Sequence, residues 1–159
     1  MSLSKKEKAT GIVLVTLLFL ITLFSTYFFL GELKMGFSDW IAFNSCSPVS
    51  YLFILFFMVF FIRRQYGWLV LTTLPVYYLG TLSMFVLPWT GTYLFAHAGH
   101  IIMTLCVFWS LHVLVNHRQY KALATGLLLS ILLFAPYIAH VETYSQHHAL
   151  RLTELMGRP

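Results

Sequence analysis

The stretch that decides the fold is "TYLFAHAGHIIMTLCVFWSLHVLVNHRQYKALATGLLLSILLFAPYIAHV", Thr92 to Val141. Two apolar runs are divided by the polar "NHRQYK". A bilayer core takes about 20 apolar residues as helix, and each run supplies them. A connection this short forces its two helices to run antiparallel. The stretch therefore reads as a membrane hairpin.

The same pattern extends towards the N-terminus. Further apolar runs cover residues 10–30, 48–62 and 68–87, so that with 92–115 and 122–141 there are five, followed by a tail at 142–159. Tight connections, "RRQYG" and "PWTG", join the later ones. The expected fold is all-α: a single polytopic membrane domain, residues 1–159, with five transmembrane helices in an up-down antiparallel bundle. In the second run, Ser47 and Pro48 read as N-cap and first helical residue, with Arg63 and Arg64 snorkelling at the far end.

Composition agrees. The 159 residues are 59% hydrophobic and 9% charged, whereas a soluble domain carries about 25% charged residues. A net charge of +5 would suggest nucleic acid in a polar protein, but here the basic residues sit between apolar runs. That pattern speaks to membrane orientation and excludes a nucleic-acid partner. The basic start "MSLSKKEK" resembles a signal peptide, but its apolar run is longer than the usual 7–15 residues and no A-x-A-like site follows. It reads as a retained signal anchor.

Orientation follows from the basic residues. Five crossings put Lys5, Lys6, Lys8, Arg63, Arg64, Arg118 and Lys121 on one side, and Lys34, Arg151 and Arg158 on the other. The positive-inside rule then expects a cytoplasmic N-terminus and an outer C-terminus, in the plasma (inner) membrane. Trp40, Trp89 and Tyr93 would mark the outer interface, and Tyr66, Trp68 and Tyr120 the inner one. "FSDWIAFNSC" and the tail "HHALRLTELM" could lie along the outer surface, the tail through Ala149, Leu152, Leu155 and Met156 at helical spacing.

The histidines are the residues with chemistry to offer. His97 and His140 are each about 21 residues from the turn at Arg118 and Gln119, which would bring them level near the outer face. His100 shares a helix face with His97 and lies roughly 4.5 Å deeper. Glu142, His147 and His148 follow at the same level, and Asp39, Asn44 and Cys46 precede the second run. Imidazole suits zinc, copper, iron and nickel, and a carboxylate can complete such a site. The expected ligand set for a transition metal ion is His97, His100, His140 and Glu142, with His147, His148, Asp39 and Cys46 as secondary candidates. A haem held by His97 or His100 with His140 is the other cofactor expectation. Proton relay along the same groups, or contact with interfacial water, are the competing readings. His112 lies about 22 Å along the helix from His97, in another layer. His117 is expected in solvent.

Other signals are weaker. Cys46 and Cys106 are expected about 14 Å apart in depth, beyond the roughly 7 Å that a disulfide spans. Pro75, among threonines and tyrosines in "TTLPVYYLGTLSM", reads as packing rather than a transport path. No Asp, Glu, Lys or Arg falls within the five runs, against the habit of ion-coupled transporters. H-E-x-x-H, G-x-S-x-G and P-loop motifs are missing. The chain thus reads as a small non-enzymatic integral membrane protein, an anchor or accessory subunit working with another membrane protein or with itself. The other readings are a membrane enzyme with an outward-facing His/Glu metal site, and an interaction protein that protects against a membrane-acting toxin.

Overall fold

The computed structural model describes residues 3–91, 93–148, 150, 151 and 154. Every element among them is a helix. Helix α1 covers Lys5–Glu32, its last turn widened to a π-helix over Phe28–Glu32; α2 is the short Phe37–Phe43; α3 is Cys46–Arg63. Then follow α4, Tyr66–Val86, α5, Tyr93–Asn116, and α6, Tyr120–His147. All except α2 are long and apolar enough to cross a membrane, one for each of the five apolar runs. The short α2 falls within the "FSDWIAFNSC" segment.

Local chemistry sets the helix ends. Ser4 Oγ accepts from the Glu7 amide at 3.1 Å, and the Ser4 amide donates to Glu7 Oε2 at 2.7 Å. This reciprocal capping box starts α1 at Lys5 rather than at Thr10. Helix α3 begins at Cys46 with Ser45 in the cap position, so Pro48 is its third residue and not its first. A proline is tolerated there because the first four amides of a helix have no intrahelical partner. Arg64 closes α3 in a left-handed conformation, φ 59°.

Helix α4 is interrupted at Thr72 and passes through a π-turn at Tyr77–Thr81. Pro75 cannot donate to the carbonyl of Leu71, and the Thr73 hydroxyl donates back to the Leu69 carbonyl at 2.9 Å. Pro75 and Val76 are buried, as the packing reading expects. Helix α6 runs unbroken through Pro136, a residue that would ordinarily kink it.

Close approach at glycines chooses the helix partners. A β-carbon on Gly11 would overlap the Trp109 ring, which seats α1 against α5. One on Gly126 would lie 2.6 Å from Val70 Cβ, which seats α6 on α4. Helix α6 therefore docks mainly on α4 and α2, with little contact to α5. The hairpin reading, with α6 flush along α5, is corrected on this point. His112 is exposed. The core runs through Val49, Phe53, Val76, Met103 and Val113, and Phe57 meets Trp109 at 5.4 Å between ring centroids. Outward faces are as apolar as the core: Leu20, Phe85 and Leu132 are 58%, 81% and 65% exposed.

Candidate functional site

His97 and His100 lie on the first turns of α5, where small residues (Ala96, Ala98, Gly99) leave room around the rings. Both are buried, at 1% and 4% exposure. Their ring centroids are 6.0 Å apart, edge to face, as their spacing on one helix face requires.

His97 holds down the preceding turn. The Trp89 indole stacks on its ring at 3.9 Å and 4°, and its Nε2–H donates to the Pro88 carbonyl at 3.1 Å. A carbonyl only accepts, so the proton sits on Nε2 and Nδ1 is a bare acceptor in the neutral ring. Neither His97 Nδ1 nor His100 Nδ1 has a hydrogen-bond partner among the described residues.

The remaining candidates do not join this pair. His140 is exposed on α6, with Tyr144 as its ring neighbour at 5.9 Å. Glu142, also exposed, accepts from the Tyr78 hydroxyl at 3.3 Å. Asp39 is buried, accepts from Tyr144 at 2.7 Å and pairs with Arg151 at 2.9 Å. His148 stacks on Tyr144 at 4.1 Å and donates to the Tyr144 carbonyl. His147 and His148 border a pocket of about 570 Å³ with Asp39, Lys34 and Arg151. Cys46 donates to Asn44 Oδ1 at 3.2 Å, and both cysteines are free thiols.

Among the described residues no three His, Cys, Asp or Glu side chains are placed to hold a metal ion. The expected convergence of His97, His100, His140 and Glu142 does not occur, because α6 turns towards α4. His140, the second ligand of the expected haem pair, has its ring contact with Tyr144 on its own helix. Of the tail segment, Ala149, Leu152, Leu155 and Met156 lie outside the described residues.

At the opposite end of the bundle is a cluster that the sequence reading misses. Glu7 accepts from Asn116 Nδ2 at 2.9 Å and from His117 Nε2 at 3.3 Å, while Trp109 Nε1 donates to the Glu7 carbonyl at 3.1 Å. Tyr66 covers His117 with ring centroids 5.7 Å apart. His117 is therefore not solvated: its side chain is 10% exposed. The legible signal was Ser4-x-x-Glu7, a capping box that pulls the acid into the helix.

Between α1, α3 and α5 lies a cavity of about 460 Å³ with mostly apolar walls. His100 lines it, together with Ser25, Asn44 and Ser47, which bond to one another. No family model, curated protein or solved structure matches the chain.

Proposed function

We propose that this chain is an integral membrane protein of the plasma membrane, crossing five times with its N-terminus in the cytoplasm, and acting as an accessory subunit rather than an enzyme. The observation that carries the reading is how its acids are used. Glu7 ties α1 to the α5–α6 loop, Asp39 ties α2 to the end of α6, and Glu142 ties α6 to α4. Each of these carboxylates clamps elements far apart in sequence, as a scaffold requires.

Helix α6 is the natural docking face. It is the least buried of the five long helices and is held by a narrow stripe of Gly126, Ser130 and Val141. Leu128, Leu129, Ile131, Leu132 and Leu133 all point away from the bundle. Apolar contact alone does not drive helices together in lipid, and close packing of shape must. The proposed occupant of this face is a second membrane protein.

Two measurements test the reading. Alkaline phosphatase fused after residue 159 should be active outside, and inactive when fused before residue 1. A photo-crosslinking residue at Leu129 or Leu132 should capture one discrete protein in native membranes. Reversed phosphatase activity would refute the orientation. Adducts to lipid alone at both positions would refute the accessory role.

A further inference from the structure

We infer that the cavity between α1, α3 and α5 is a binding site for an uncharged lipid-soluble molecule with one hydrogen-bonding oxygen at its head. Its volume of about 460 Å³ falls within the roughly 300–1,000 Å³ of small-molecule sites, which are apolar with a few placed polar groups. The walls fit that description. Phe24, Phe28, Phe95 and Met103 supply apolar surface, and polar atoms come from three separate elements.

Charge decides the class. Among the described residues no Asp, Glu, Lys or Arg lines the cavity, so an ionised headgroup would be buried without a counter-charge, at a large desolvation penalty. A neutral carbonyl or hydroxyl needs only a hydrogen bond. The side chain in the wall that can make it is the imidazole of His100, which is only 4% exposed. The Ser25, Asn44 and Ser47 hydrogen bonds instead close on one another, which holds the facing wall in shape.

Two further features concern entry. Phe24 and Phe95 line the cavity yet are 53% and 49% exposed, their rings 4.7 Å apart across α1 and α5. They stand between the cavity and the bundle surface, where a lipid-soluble molecule arrives. Phe28 and Phe29, also in the lining, belong to the π-turn of α1, and such turns recur at functional sites. Gly99 leaves open space: a β-carbon there would meet only Ile21, with Cδ1 nearest at 3.8 Å.

The chemistry is shared by a quinone ring and a long-chain alcohol, and the test separates them. Full-length protein in phosphatidylcholine nanodiscs is titrated with decylubiquinone or 1-hexadecanol, and bound copies are counted by native mass spectrometry. Wild type should bind at least one probe saturably, and the probe that binds identifies the head. Gly99→Phe, which fills the cavity, and His100→Leu, which removes the hydrogen-bonding ring, should each weaken binding about tenfold or more. Ile62→Phe, at an exposed position outside the lining, should leave it unchanged. Circular dichroism and melting verify each fold, and Ala96→Leu replaces Gly99→Phe if that variant does not assemble. No saturable binding to wild type overturns the site, as does undiminished binding by the cavity-filling variant. Binding that survives His100→Leu overturns the oxygen-bearing class.

Discussion

Tyr144 on α6 donates its hydroxyl to Asp39 on α2 at 2.7 Å, across 105 residues of sequence. The same carboxylate pairs with Arg151 through its other oxygen at 2.9 Å. One buried acid thus holds both the end of α6 and Arg151 beyond it.

Removing that acid releases Arg151. The Arg151 side chain is 56% exposed, so its ion pair is worth about 0.2–1 kcal/mol. Asp39→Asn should raise the rate of tryptic cleavage after Arg151 by up to about fivefold, followed by mass spectrometry of the released peptide. An unchanged rate would show that the pair does not restrain the tail.

At the other end, Glu7 is the residue whose loss costs most. Glu7→Ala removes a capping box and leaves Asn116 and His117 without their shared acceptor. Losing the hydrogen bonds to this carboxylate costs about 1.5–3 kcal/mol, and losing a cap about 1 kcal/mol. Glu7→Gln keeps an acceptor oxygen and should cost less than half as much. Melting temperatures in detergent should rank wild type above Gln above Ala; equal values for all three would mean that the cluster stabilises nothing.

Helix α6 depends on the absence of a side chain at Gly126. Gly126→Leu must collide with Val70, because any β-carbon at this position lies 2.6 Å from the Val70 Cβ. Overpacking of this kind costs about 1–3 kcal/mol. Adding Val70→Ala should recover part of that loss. If the double variant melts no higher than the single one, α6 is not seated through this contact.

Metal content offers a direct comparison. His97 is engaged by Trp89 and Pro88, and His140 is exposed on another helix. Wild type, His97→Ala and His140→Ala should therefore carry equal zinc, copper, iron and nickel by mass spectrometry, and haem-replete expression should yield no Soret band. Metal lost in both variants together would restore the shared site.

His97 also has a separate structural duty. His97→Leu removes the Trp89 stack and the bond to Pro88, which frees the turn between α4 and α5. Trp89 fluorescence should shift to the red and become more accessible to iodide, whereas His140→Leu leaves both unaltered.

What the sequence determined by itself was set by length, hydropathy and local chemistry. Five apolar runs became five long helices, "FSDWIAFNSC" contains a short one, and Cys46 and Cys106 remain free thiols. Such properties depend on neighbours within a few residues, so a linear text carries them. The placement of the histidines needed more. Counting residues from a turn gives depth along a helix, and it says nothing of which helix lies alongside. In a chain whose exposed surfaces are as apolar as its core, pairing leaves almost no mark in composition. It was decided by shape: Gly126 against Val70 carried α6 to α4, and left His140 apart from His97. The same packing of Gly11 on Trp109 brought Glu7 to Asn116 and His117. Close fit between surfaces distant in sequence exists only once the helices have met, and there the tertiary structure alone decides.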